Sequence, residues 1–339
     1  MPVVGVDLHR RRSQVALVGD DGIEVWNRRV PNGSSAMLGL FESLPAGTPV
    51  AVEATYGWSW LVDLLTELGL EPHLAHPGGC KAIAYARLKN DKVDARTLAH
   101  LLRTDLLPEA WIAPADVREL RALLRHRAGL VGMRTGLKVR VRAVLGERGI
   151  SAPAELWSRP GRGWLAAVEL PATHRLMVDN LCRLLDGVDT VLSDVESEIR
   201  RRAKPDERVQ ALMGIPGVGL ITAMTLIAEI GDVHRFPTAR KLCSWSGLTP
   251  RVRNSDTTMR HESASKMGPP VLRWVLGEAA HVAKRSAPYE PTFARIAARR
   301  GKNIATMAIA RRLLARAFHV LKDVDTCQVA PRGAGPIVG

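Results

Sequence analysis

Three extended segments come before any helical signal in this chain, and from there each extended segment is separated from the next by a helix. Val3-Val4-Gly5-Val6-Asp7 reads as a short apolar strand and residues 13–18 as a second. Ile23-Glu24-Val25-Trp26, after the turn signal Asp20-Asp21-Gly22, reads as a third. Helical spacing follows over 34–44, then the apolar strand Pro49-Val50-Ala51-Val52-Glu53. Helical spacing over 60–68 and a last short strand over 72–75 complete the series.

Three antiparallel strands followed by alternating helices and strands is the order of a ribonuclease H-like α/β domain, expected here over residues 1–112. In such a sheet the strand ends lie side by side. Asp7 falls at the end of the first strand and Glu53 at the end of the fourth. Asp91 and Asp94, spaced i, i+3 in Asp91-Lys92-Val93-Asp94, share one face of a following helix. Four converging carboxylates repel one another unless a divalent cation neutralises them. Hard oxygen donors suit Mg²⁺ or Mn²⁺, and two such ions about 3.5–4 Å apart can stabilise the attacking and leaving oxygens of a phosphodiester. His9, His73, His76 and His261 show no ligand spacing and are set aside.

Residues 113–205 change character. Leu123, Leu130, Leu137 and Val144 recur every seven residues, the seam of a long coiled-coil-like helix. Its other faces are crowded with arginine, and Arg121, Arg125 and Arg134 are expected to point outward toward nucleic acid. Residues 150–175, with Pro153, Pro160 and Pro171, read as a linking loop. A second long helix through Leu181, Leu185, Leu192 and Ile199 could pair antiparallel with the first. Residues 206–326 read as a third, mostly helical unit, and the tail 327–339, rich in Pro and Gly, as loose. Within the third unit, Gly214-Ile215-Pro216-Gly217-Val218-Gly219 resembles a helix-hairpin-helix turn. The backbone N–H groups at Gly217 and Gly219 would grip a phosphate there; an ordinary helix–helix turn is the alternative. From Thr249 to about Pro270 a polar loop carries Arg251, Arg253, Arg260 and Lys266, with Arg273 just beyond. A serine among these cations, such as Ser255, could face a phosphate.

Composition narrows the partners. Lys+Arg 48 against Asp+Glu 34 leaves the chain of 339 residues at +14, a surplus that favours a polyanion, nucleic acid before any membrane surface. No apolar run is long enough to span a membrane. The opening residues lack a basic n-region and a cleavage site, which sets the expectation of a cytoplasmic, nucleoid-associated protein. Cys80, Cys182, Cys243 and Cys327 lie far apart and offer neither a zinc site nor a disulfide framework.

Taken together these residues resemble the bacterial insertion-sequence transposases with an N-terminal RuvC-like DEDD domain and a C-terminal serine-bearing transposase domain, a family of bridge-RNA-guided recombinases. The acidic pattern is carried by Asp7, Glu53, Asp91 and Asp94. The C-terminal pattern is carried by Gly214 to Gly219, by Ser246-Gly247-Leu248-Thr249-Pro250, and by Lys266-Met267-Gly268 before Leu272-Arg273. Ser255 takes the place of the family's serine, followed by Asp256 where the family has glycine; Ser263 and Ser265 are the other candidates. The resemblance implies Mg²⁺ held by the four carboxylates and serine attack on DNA through a phosphoserine link. It further implies a structured guide RNA and a homo-oligomer, dimer or tetramer, joined through the coiled-coil segment. The competing expectation is a RuvC-like, structure-selective DNA nuclease of the Holliday-junction resolvase type, which needs the acids but no serine. A sugar-kinase-like ATPase is disfavoured because Leu8-His9-Arg10-Arg11-Arg12 lacks the phosphate-cradling glycine.

Overall fold

The computed structural model describes residues 1–83, 90–255, 258–265 and 267–329, with backbone alone for 251–255, 258–264 and 326–329. The chain divides into two compact units, Met1–Ala113 and Pro114–Gly339.

The first unit runs β1 (Val3–Asp7), β2 (Arg12–Val18), β3 (Glu24–Pro31), α1 (Ser34–Phe41), β4 (Pro49–Glu53), α2 (Trp58–Glu67), β5 (Glu71–Ala75), α3 (Pro77–Ile83) and α4 (Asp91–Arg103). The strands form one mixed sheet in the order β3-β2-β1-β4-β5. β1 is antiparallel to β2 and parallel to β4, which is parallel to β5. The strand trio and the later alternation expected from the sequence are both present.

Alternation along β1 and β4 divides the sheet between two layers. Val4, Val6, Val50 and Val52 face a core with Met37 and Phe41 of α1 and Leu61 and Leu65 of α2. Each such fully buried side chain stabilises the fold by about 1.5–3 kcal/mol. Val3 and Ala51 face the other way, toward Leu98 and Ala99 of α4. Gly5 lets α4 come this close: a Cβ there would stand 2.0 Å from the Ala95 carbonyl oxygen and 2.6 Å from the Ala99 nitrogen. Helix and strand therefore meet backbone to backbone, with small residues on both sides.

The second unit contains α5 (Ala115–Gly146), α6 (Arg159–Ala167), α7 (Ala172–Ala203), α8 (Glu207–Met213), α9 (Leu220–Ile230), a 3₁₀ turn (Val233–Arg235), α10 (Ala239–Trp245), β6 (Pro250–Ser255), β7 (Thr258–Ala264), α11 (Pro270–Ala283), α12 (Glu290–Arg300) and α13 (Lys302–Val329). α5 and α7 run antiparallel: Arg127 pairs with Glu196 at 2.6 Å, and Glu147 lies 3.8 Å from His174. The contact on α7 falls at Val178, Leu185, Leu192 and Ile199, a strict heptad. On α5, Leu130 and Val144 of the expected seam are buried, joined by Leu124, Val141 and Leu145. α9 is buried along most of its length at the centre of the remaining helices.

Three expectations are corrected here. The segment read as a linking loop holds α6, begun by Ser158, whose hydroxyl accepts from Gly161 N at 3.2 Å, with Pro160 in the first turn. The prolines start helices there instead of preventing them. The polar loop after Thr249 holds the antiparallel pair β6–β7. Cys327 to Val329, read as loose tail, continue α13. Among the described residues, no helix is long and apolar enough to cross a membrane.

Candidate functional site

The same alternation that puts Val4 and Val6 in the α1–α2 layer puts Asp7 and Glu53 on the α4 side. Val6 pairs with Val52 in parallel register, so the two acids end neighbouring strands together. Asn90 caps α4, its side chain accepting from Val93 N at 2.9 Å, and Asp91 and Asp94 occupy the helix's first turn. The backbone fit of Ala95 and Ala99 over Gly5 then brings that turn to the strand ends. All four carboxylates line one cavity of about 690 Å³, with His9, Lys81 and Asn90 beside them.

Electrostatics show how tightly they converge. Asp7 is buried at 5 % exposure, and burial pushes its carboxyl above the usual range. His9 acts in the opposite direction, while Asp94, Glu53 and Asp91 all push it further up. Asp7 Oδ2 lies 3.0 Å from His9 Nε2 yet receives no well-directed hydrogen bond among the described residues. His9 Nε2 also stands 3.4 Å from Asp91 Oδ1, so Asp7, His9 and Asp91 present donor atoms within 4.8 Å of one another. An orphaned carboxylate oxygen inside an oxygen-rich cluster fits a hard divalent cation.

His9 belongs to this site although the sequence spacing set it aside. The available signal was its position two residues past Asp7, at the end of β1. The loop that carries it is braced from β3: the Asn32 side chain donates to the His9 carbonyl and accepts from Ser13 Oγ at 2.6 Å. Thr55 Oγ1 donates to the Leu8 carbonyl at 3.2 Å from the far side. Lys81 and Cys80 of α3 were likewise not anticipated. Burial raises the Cys80 thiol above its ordinary value, and Glu53 adds to the rise.

The cationic residues of the second unit are used differently from the expectation. Arg121 donates to the carbonyls of Ala228 at 2.6 Å and Glu229 at 3.1 Å, covering the C-terminal end of α9. Arg125 makes two 2.8 Å bonds to the Glu229 carboxylate, which is 3 % exposed. Removing Arg125 would leave that carboxylate buried without its partner, a loss of about 3 kcal/mol. Arg134 lies 3.5 Å from Asp189 of α7. All three arginines therefore fasten helices of this unit to one another. Gly217, at φ +82°, is packed against α11, where a Cβ would meet the Ala279 carbonyl oxygen at 2.4 Å. Gly219, which caps α9, is exposed, and a Cβ there would meet nothing within 4 Å among the described residues.

Arg251, Arg253 and Ser255 lie on β6, with Ser255 paired to Thr258 across the hairpin; Asp256 and Lys266 fall outside the described residues. Arg273, grouped above with the phosphate-facing cations, donates instead to the carbonyls of Ser246, at 3.3 Å, and Gly268. Those residues flank the hairpin, so Arg273 ties its two ends together. Gly268 permits this: a Cβ there would come within 2.4 Å of the Ser246 backbone.

Comparison with known proteins agrees with both halves. Residues 4–148 match the DEDD-type transposase profile of the IS110 group, and residues 209–295 match the Transposase IS116/IS110/IS902 family. The chain is 28% identical over 319 residues to the "Transposase for insertion sequence element IS1111A" of Coxiella burnetii, covering 91% of this chain and 86% of that protein. It is 28% identical over 343 residues to the "Probable family 20 transposase" of Pseudomonas aeruginosa, covering 96% and 97%. The transposase for element IS1328 of Yersinia enterocolitica is 26% identical over 298 residues, 85% of each chain.

Proposed function

We propose, from the premise that this chain belongs to the IS116/IS110/IS902 family of insertion-sequence transposases, enzymes that cut and rejoin DNA, that it does so by serine attack at a divalent-metal centre. Asp7, Glu53, Asp91 and Asp94 would hold the metal, Mg²⁺ or Mn²⁺. The observation that carries this reading is the buried, unsatisfied Asp7 Oδ2 among three further carboxylates. Bound there, the cation supplies charge neutralisation at the attacked phosphate.

The chain's own part follows from its residues. Asn90, Gly5 and the Asn32–Ser13 brace keep the ligands in place. Ser255 Oγ forms a bond to phosphorus as a deoxyribose oxygen leaves. A deoxyribose hydroxyl later attacks the phosphoserine and releases Oγ, so the phosphodiester is remade without an external energy source. Arg273 acts as a positioning residue for the hairpin. Copies of the chain associate, and the exposed Met177, Leu184 and Val191, seven apart on α7, form the apolar stripe available for it. Sequence choice comes from a structured guide RNA, supported by the likeness to the guided recombinases and by the +14 charge.

Cleavage by water is the competing reading, favoured by one observation: the acids and His9 all lie within the Met1–Ala113 unit. The first test addresses the metal centre itself. Each of Asp7→Ala, Glu53→Ala, Asp91→Ala and Asp94→Ala should lose strand cleavage in Mg²⁺ at least a hundredfold, roughly the cost of a lost catalytic group, while DNA affinity stays near normal. A variant that cuts at the wild-type rate removes its residue from the centre.

A further inference from the structure

The groove between α12 and α13 has no place in the reading above. Gly301, at φ 86°, turns the chain between the two helices. With Leu248 and Pro250 they enclose a cavity of about 930 Å³. Its floor is apolar: Leu248, Ile296, Ile304, Met307 and Ala308, with Ile304 left 49% exposed. Its rim is cationic: Arg295, Arg299, Arg300, Arg311 and Arg312. Among the described residues no carboxylate lines it, and none of these five arginines makes an ion pair with an acid. Arg312 donates to Thr292 Oγ1 at 2.9 Å. Five uncompensated cations around a wetted apolar floor call for an occupant that is anionic and apolar at once.

We infer that this groove holds an unpaired DNA strand, with phosphates on the arginines and bases and deoxyriboses against Ile296, Ile304 and Met307. A duplex meets the rim equally well but keeps its base faces stacked inside, leaving the floor uncovered. Unstacked bases present broad apolar faces, and aliphatic side chains are known to seat against them. Among the described residues, Asn303 is the only polar lining residue besides the arginines. A sugar seated on the apolar floor would have to desolvate a 2′-hydroxyl there, so deoxyribose is the better fit. Pro250 both lines the groove and opens β6, whose last residue is Ser255. At about 3.3 Å per residue, some 17 Å of strand separate them, so a DNA strand in the groove lies a short run from the hairpin. The inference rests on the DNA-rejoining reading and adds that the enzyme grips one strand in unpaired form.

The test uses the full chain in EDTA, where no cutting occurs, with labelled oligothymidylate and a duplex of equal length. The paired change Ile304→Asn and Met307→Asn should weaken oligothymidylate binding by about tenfold, the worth of roughly one base contact. It should leave the salt slope and duplex binding unchanged. The pair Arg299→Gln and Arg300→Gln should flatten the oligothymidylate salt slope by about 1.4, at about 0.7 per phosphate. A misfolded floor variant would lose duplex binding as well, and the rim variant then decides. Wild-type oligothymidylate binding by both variants overturns the inference. So does a floor variant that only loses self-association, since the floor would then cover a second copy. If these losses appear but the chain forms no covalent DNA adduct, the serine reading falls and the groove stands; the reverse pattern removes the groove alone.

Discussion

Asp7 concentrates the conflict in the acidic cluster proposed to hold metal. Its carboxyl is buried, faces three other acids, and has its ionisation pushed upward chiefly by burial. A carboxyl whose folded value exceeds its unfolded value of about 3.9 contributes stability that is present below that pH. The contribution is lost as pH rises through the raised value. In the metal-free protein at neutral pH, the ionised Asp7 is therefore destabilising. Asp7→Asn should melt a few degrees higher than wild type in EDTA, the scale set by about 1 kcal/mol in a domain of this size. The gap should narrow in acid, where wild-type Asp7 is protonated. Added Mg²⁺ should raise the wild-type melting temperature and leave Asp7→Asn nearly unmoved. Equal melting of the two proteins in EDTA at every pH would mean that the cluster stores no repulsion.

At the scale of elements, α7 carries two heptad stripes. Val178, Leu185, Leu192 and Ile199 bury against the chain's own helices, while Met177, Leu184 and Val191 stay in water beside them. The proposed association through this second stripe predicts that Leu184→Glu and Val191→Glu together lower the mass seen in sedimentation to that of one chain, with helix content retained. Persistence of the wild-type oligomer would place the interface elsewhere. The elements also show what a linear reading could reach. The strand order, with Asp7 and Glu53 closing two apolar strands, already placed these acids side by side, and the i, i+3 spacing put Asp91 and Asp94 on one face. The internal contacts of the α5 arginines were not legible because their partners lie far along the chain: Glu229 is 104 positions from Arg125. No local pattern distinguishes a cation bound for a buried carboxylate from one bound for a phosphate. β6 and β7 escaped notice because Arg253 to Ser255 and Arg260 to Ser263 are polar at successive positions and lack the apolar alternation that marks a half-buried strand. His9 was hidden for a third reason: its ligand partners come from β1 and α4, and only the Gly5 contact brings α4 there.

At the scale of the whole molecule, the family matches and the compact units divide the chain differently. The N-terminal match runs to residue 148 and takes in all of α5, whereas the first compact unit ends at Ala113. α5 thus travels with the acidic domain in sequence while packing with α7 and α9 in space. The second match stops at residue 295, within α12, and leaves out α13, which forms one wall of the arginine-rimmed groove. Ser255 separates the two mechanisms, because a serine ester conserves the phosphodiester bond energy that hydrolysis by water would release. The direct measurement incubates the full chain with element-end DNA and Mg²⁺, denatures it, and resolves protein–DNA adducts on a gel. Serine attack gives an adduct in the wild type that is lost in Ser255→Ala and kept in Ser263→Ala and Ser265→Ala. Free cut ends with no adduct in the wild type, together with undiminished cutting by Ser255→Ala, would contradict it and leave a metal-dependent nuclease acting with water.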